Sequence, residues 1–524
     1  MSSSPGRPGS VTGSSPVVET TSGPYRGVHD GSLGVWKGMR YAAPPIGENR
    51  WRRARPVTAH TGIVDADHFG AVCPQARNPA IGLGSQVVMD EDCLFLNVWA
   101  PSARTDGPRP VIVWVHGGAY VFGSGSQPLY DGRRMALESG VVVVTINYRI
   151  GAFGFADLGS VIDGAETNAA LSDVLAALTW VRDNISGFGG DPARVTLAGE
   201  SAGGGIVTTL LTTPAARGLF HQAIAQSSPA TAVVATERLT MVAERLDAAI
   251  PGDLRAAASQ QFVDAGMAVF ADVPQDNPGV LAFTVTVDGD LVARHPLDVY
   301  RSGDSHPVPL LIGSNRDESA LFKYMKSPLM PIDVERIREM FGRLRAEQPD
   351  LGLPDERTVL AAYPRNAKAA GLGIARDLVF RMPTLWLADA HAALAPVHLY
   401  RFDWAPPMFR ALRLGATHGT ELAYTWGNLT TGRKDITYKL GGRKTGEKVA
   451  RRMLGRWGAF VREGVPDADC GPDAASDPEL AMPSWPAFTR SERRSLVIGA
   501  RERVVTGLDD HLHTTWGEEI LAFR

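Results

Sequence analysis

The stretch that most constrains this chain is Val195-Thr196-Leu197-Ala198-Gly199-Glu200-Ser201-Ala202-Gly203-Gly204-Gly205. Four β-prone residues run into a serine with glycine two positions before it and two after. A strand that ends in G-x-S-x-G and turns at once into a helix fits a nucleophile elbow, in which a tight turn lifts the Ser201 hydroxyl above the sheet edge. The flanking positions must be small because the two backbones pass close together. The pattern alone is weak: 56 of the 524 residues are Gly, and an incidental Ser in a Gly-rich turn reads the same way. Its context carries it, because the segment before is apolar and β-prone and residues 206–211 continue as a buried run.

The surrounding pattern places that elbow in a sheet. Residues 111–115 and 141–147 are apolar without alternation, which predicts strands covered on both faces. Residues 91–99 alternate as a half-buried strand, and residues 17–60 read as an antiparallel meander leading into a Pro-rich loop. Residues 171–185 have apolar positions at helical spacing and stop at Gly187-Phe188-Gly189-Gly190-Asp191-Pro192. Further strands are predicted at 223–227, 308–313 and 397–402. The result is an α/β fold, a mostly parallel sheet with helices on both faces. The intervals 235–300 and 320–395 are too long for plain connections and predict helical excursions that cover the C-terminal sheet edge and shape a pocket. No repeat or composition break divides residues 17–524, which read as one domain. Residues 1–16 are Ser/Gly/Pro-rich and read as a disordered tail.

Several function classes fall away. A net charge of −3 offers no basic excess for nucleic acid. No apolar run reaches the roughly 18–20 residues a membrane span needs. Without a secretory h-region the chain reads as cytoplasmic, and three cysteines suit a reducing compartment. The Arg-over-Lys bias suggests a GC-rich bacterial source. No C-x-x-C or H-E-x-x-H spacing occurs, so neither metal nor cofactor is expected.

A serine nucleophile needs a base, a group that holds the base, and donors for the oxyanion. In the α/β-hydrolase fold, acid and base should follow Ser201 in that order. Glu318 lies just past the strand predicted near 310, with Asp317 as an equal rival by position. Among the later histidines, His391 and His398 lie in or beside regular elements and His511 and His513 near the C-terminus; only His418 sits in a Gly-flanked loop. Backbone N–H groups of Ala202, Gly118 and Ala119 are the candidate oxyanion donors.

These blocks resemble the type-B carboxylesterases, the cholinesterase-like group of α/β-hydrolases, and bacterial carboxylesterases within it. The similarity runs from about residue 17 onward through EDCLFLNVWAP (91–101), VWVHGGAYVFGSG (113–125), NISGFGGDPARVTLAGESAGG (184–204), GSNRDES (313–319) and GATHGTELAYTWGN (415–428). The resemblance implies Ser201 as nucleophile, Glu318 rather than Asp317 as acid, His418 as base, and Gly118, Ala119 and Ala202 as oxyanion hole. Secreted members bridge the cysteines that match Cys73 and Cys93; here the pair is expected to be reduced, and Cys470 to have no role. Ser228 stands where the family often has Gly, which bears on the wall behind the triad. Trp36, Met39 and Arg40 replace commoner choices, which suggests an unusual pocket rim.

The expected reaction is two-step acyl transfer on a small-molecule ester. Tyr120, Phe122 and Trp426 are the candidate substrate-binding residues and suggest small to medium neutral esters, apolar or aromatic. The expected protein is a monomer or weak homo-oligomer. A lipase acting on longer chains and a non-catalytic cholinesterase-like binding protein are the alternatives.

Overall fold

The strand that carries Ser201 is central to the sheet because its neighbours are apolar on both faces. In the computed structural model, the described residues are 15–521 apart from 80, 85–86, 104, 326, 328, 331–332, 351, 430–434, 468–479 and 519–520. The expected N-terminal tail up to residue 14 and Cys470 lie outside them.

Among the described residues the main sheet has 11 strands. In chain order they are β1 (Val28–Asp30), β2 (Leu33–Arg40), β3 (Phe95–Pro101), β4 (Arg109–Val115), β5 (Val142–Ile146), β6 (Gly190–Glu200), β7 (Gln222–Gln226), β8 (Leu310–Asn315), β9 (Val397–Phe402), β10 (Ser495–Ile498) and β11 (Glu502–Val505). Across the sheet the order is β11-β10-β9-β8-β7-β6-β4-β5-β3-β2-β1. From β5 to β10 neighbours run parallel, and both edges finish antiparallel. Parallel neighbours need crossovers, which the helices supply on both faces. This is the α/β-hydrolase fold, with a large mostly parallel sheet at its centre. The N-terminal meander is real but divided: Val17–Thr20 and Gly23–Arg26 pair in a small separate sheet, while β1 and β2 extend the main one.

Alternate residues of the same strands feed two apolar layers. Val111, Val113 and Val115 enter one, and Ile112 and Trp114 enter the other. In the second layer Trp114 meets Trp426 edge to face at 5.2 Å, and Trp457 and Trp485 pack nearby. Emptying one such site by Trp→Ala would cost about 3–5 kcal/mol. β3 corrects the half-buried expectation for 91–99. Its five interior residues are all buried, because Asn97, the polar member, is satisfied inside by Thr145 Oγ1 at 3.0 Å. A period-two pattern cannot distinguish solvent from a buried hydrogen-bond partner.

Helix α1 (Ala169–Asn184) covers one face, and α2 (Ala202–Leu210) starts directly at the elbow with every residue buried. The excursions hold α3 (Thr236–Ala249), α4 (Ser259–Asp276), α5 (Ala320–Met325) and α6 (Val334–Glu347), then a π-helical turn (Asp377–Arg381) that runs into α7 (Met382–His391). No helix among the described residues is long and apolar enough to cross a membrane.

Candidate active site

Four parallel strands end together on one side of the sheet, and each hands over one part of the site. Open α/β sheets bind ligands beyond the carboxyl ends of their strands. β6 ends at Glu200, and Ser201 then takes φ 55°, ψ −123°, a conformation disfavoured for a residue with a Cβ. The turn closes only because its flanks are bare. A Cβ on Gly199 would stand 2.6 Å from the Gly203 backbone, and one on Gly203 would strike the carbonyls of Val115 and His116. The Ser201 N–H donates to the Gln226 carbonyl at 2.9 Å, which pins the elbow to β7.

His418, in the loop beyond β9, faces Ser201. Its Nε2 lies 2.8 Å from Ser201 Oγ, and its Nδ1 lies 2.7 Å from Glu318 Oε2. Beside a carboxylate Nδ1 must carry a proton, so in the neutral ring Nε2 is the acceptor and Ser201 the donor. Glu318 is fully buried three residues past β8; its Oε1 accepts from Ser227 Oγ and from the Asn315 N–H, both at 2.6 Å. Asp317 turns elsewhere and accepts from the Ala416 N–H at 3.0 Å, clasping the loop that bears His418. The remaining histidines lie outside this line: His391 bonds the Val308 carbonyl, His398 is in β9, and His513 faces Asp389.

The loop after β4 bends through Gly118 (φ 126°), Ala119 (φ 55°) and Tyr120 (φ 63°). Two consecutive non-glycine residues at positive φ store backbone strain, which persists only where the surroundings enforce it. The N–H groups of Gly118 and Ala119 find no acceptor among the described residues. Ala202, first in α2, has no intrahelical acceptor for its own N–H either. Three donors are thus left beside one hydroxyl, the provision an oxyanion requires.

Sequence reasoning missed the charge around this line. Glu200 Oε1 is 3.3 Å from His418 Nε2. Glu421, also buried, accepts from Asn315 Nδ2 and, at 3.3 Å, from Gln226 Nε2. Burial pushes the Glu200 pKa up to about 8, and Glu421, raised by burial and by Glu318, to about 7. For His418 burial pulls downward, but Glu200, Glu318 and Glu421 outweigh it and push the imidazole up to about 9. Such groups titrate as a cluster. The available signal was a charged residue closing an otherwise apolar strand in Ala198-Gly199-Glu200. Phe380 and Phe322, whose rings lie 4.6 Å and 5.2 Å from the His418 ring, come from the excursions and had no signal.

A cavity of about 400 Å³ opens over Ser201, lined by Gly118, Ala119, Ala202, Tyr120 and Phe122 among others. Trp426 is a correction: it is fully buried in the second apolar layer, and Tyr130, 5.6 Å from it, lines the cavity instead. The short helix Leu422–Thr425 turns Leu422 to the cavity and carries Trp426 under the sheet-end loops. Trp36, Met39 and Arg40 are corrected likewise. They belong to β2, where Arg40 pairs with Asp92 and Trp36 packs on Phe188, away from any rim. Ser228 lies behind α2, its Oγ 3.0 Å from Thr208 Oγ1. Cys73 and Cys93 are buried free thiols. No cluster of three or more His, Cys, Asp or Glu that could hold a metal occurs among the described residues.

The chain matches the Carboxylesterase family over residues 14–516. It is 32% identical over 502 residues to the para-nitrobenzyl esterase of Bacillus subtilis (strain 168), covering 92% of this chain and 94% of that one. It is also 32% identical over 507 residues to the phenmedipham hydrolase of Pseudarthrobacter oxydans, covering 92% and 95%. A solved PNB esterase superposes with a TM-score of 0.80 at 32% identity, over 95% of this chain and 99% of that one. With a strand-end serine, a family match across nearly its whole length and relatives of that similarity, this chain belongs to the carboxylesterase family and is a carboxylic ester hydrolase.

Proposed function

We propose that Ser201 attacks the ester carbonyl while His418, in the neutral form that its raised pKa makes the minority below about pH 9, takes its proton, with Glu318 fixing the ring and stabilising the imidazolium. The hydrogen-bonded line from Ser201 through His418 to Glu318 carries this reading. The N–H groups of Gly118, Ala119 and Ala202 hold the developing oxyanion, each worth about 2.7–4 kcal/mol by comparison with other hydrolases. His418 then protonates the departing alcohol, and water, activated by the same imidazole, releases the acid. Residues 17–524 act as one catalytic unit.

The substrates are neutral esters of small to medium size. The described residues around the cavity include no Arg or Lys, and beside apolar and aromatic side chains such as Phe122, Phe270 and Phe322 the one acidic group is Glu200. Among the described residues an anionic ester would meet that carboxyl and find no Arg or Lys to pair with. Para-nitrobenzyl esters, named for a relative, are neutral and aromatic and fit this lining. Ser201→Ala should abolish hydrolysis of p-nitrophenyl butyrate with the far-UV circular dichroism unchanged, and a fluorophosphonate should label Ser201 stoichiometrically. An undiminished rate in the variant, or a label elsewhere, overturns the assignment.

A further inference from the structure

Beyond the cavity over Ser201 lies a second one of about 70 Å³. The two share a wall made of Pro229, Leu281, Leu329 and Val379, all apolar. A water needs roughly 10–15 Å³ of such space, so the second chamber has room for several waters. Its walls give them few partners. Met340 and Leu344 of α6 and Leu378 of the π-helical turn supply apolar surface, and among the described residues the only side-chain hydroxyls are those of Thr231 and Thr284. Thr284 already donates to the Ala232 carbonyl. A volume that water occupies poorly is filled favourably by alkyl groups. Val379 and Leu378 are consecutive in the π turn, the first facing both chambers and the second only the inner one. Local π geometry of this kind is concentrated at functional sites.

We propose that the inner chamber is a chain-length pocket. It receives the end of a linear alkyl arm of the ester, which passes between Leu281 and Val379 while its carbonyl sits at Ser201. The inference rests on the ester-hydrolase reading of Ser201 and adds a substrate class to it: esters of unbranched, medium-length aliphatic acids. Leu344 and Leu378, which touch only the inner chamber, then set the longest arm accepted.

The test is a p-nitrophenyl series from acetate through butyrate, hexanoate and octanoate to decanoate. For the wild-type protein kcat/KM should rise by about fourfold per methylene once the arm enters the inner chamber, then level when it is full. Leu344→Phe and Leu378→Phe should keep acetate and butyrate within about twofold of wild type and lower decanoate by about tenfold or more, two to three buried methylenes lost. Leu344→Ala should move the optimum to a longer acid. The acetate rate reports whether each variant folds. Curves that fall in parallel at every chain length, or an optimum at acetate in the wild type, overturn the proposal. Calorimetry on Ser201→Ala with butyramide, hexanamide and octanamide separates it from the ester reading. Binding that tightens with length and loses that trend in Leu344→Phe upholds the chamber even where no ester is cleaved, and length-independent binding rejects it.

Discussion

Two sets of fully buried carboxyl groups in this protein are handled in opposite ways. Asp173 meets Arg149 through two side-chain bonds of 2.6 and 2.8 Å and accepts the Arg149 N–H as well. Glu502 lies between Arg456 at 2.9 Å and Arg452 at 3.3 Å. In both places guanidinium charge matches or exceeds carboxylate charge. At the sheet end Glu200, Glu318 and Glu421 share one imidazole, and among the described residues no Arg or Lys pairs with any of them. Burial of charge is tolerated when it is paired and hydrogen-bonded; otherwise protons redistribute to reduce it. On the mechanism proposed above, the paired sites serve the fold and the carboxyl cluster serves the proton transfer at Ser201.

Removing one carboxylate from each set should separate these roles. On the proposed mechanism, Glu318→Gln takes away the charge that orients and stabilises the imidazolium and should lower kcat by about 10⁴-fold, with a similar melting temperature. Asp173→Asn leaves a buried Arg149 without its anion and should cost about 3–5 kcal/mol in urea unfolding, with kcat per folded molecule unchanged. If the two variants exchanged phenotypes, the division between structural and catalytic charge would be wrong.

A subtler contrast is in pH. Glu200 has a folded pKa near 8, above the ordinary 4.5, so between those values the folded protein holds a proton that the unfolded chain releases. Unfolding free energy should therefore decline as pH rises through that window, by an amount on the order of a few kcal/mol from this group. Glu200→Gln should flatten the decline. Above about pH 8, where Glu200 is ionised, the substitution also removes an anion 3.3 Å from His418 Nε2; with the imidazole pushed up to about 9, the acid limb of kcat/KM should then move to lower pH. Glutamine at 200 with an unmoved limb would mean that Glu200 does not sense the base. Asp173 is also raised by burial, but it faces Arg149, so Asp173→Asn should leave the limb where it is.

The sequence disclosed the parts of this arrangement that are local and lost those that are assembled in space. Strand β9 was read at its full extent, and the elbow at Ser201 was legible because strand, turn and helix are contiguous. His418 could be ranked by chain order and its Gly-flanked loop; Asp317 and Glu318 were equal on spacing, and only the resemblance favoured Glu318, while the structure gives Asp317 another task, the clasp on Ala416. Trp426 misled because an aromatic residue near the His418 loop reads the same whether it faces the cavity or the layer beneath it; Tyr130, almost 300 positions earlier, takes that place. Glu200 and Glu421 were in plain view beside Ser201 and His418. Their shared burial could not be read, since proximity across β6 and the His418 loop is a property of the packed chain.

Ser227 offers the finest test of the comparison. Asp173 is fixed by a guanidinium, whereas Glu318 is fixed on its outer oxygen by the Ser227 hydroxyl and a backbone N–H, both neutral donors. Ser227 holds that position at φ 46°, fully buried, with its own N–H on the Gly313 carbonyl. A hydrogen bond to a charged group contributes about 1.5–3 kcal/mol, so Ser227→Ala should lower kcat by roughly tenfold to a hundredfold. KM should change little, because Ser227 lines neither cavity. The loss should fall on the imidazolium-forming step and therefore be larger for poor leaving groups than for p-nitrophenolate. A uniform loss, or one recovered by lowering temperature alone, would assign Ser227 to packing rather than to holding the carboxylate.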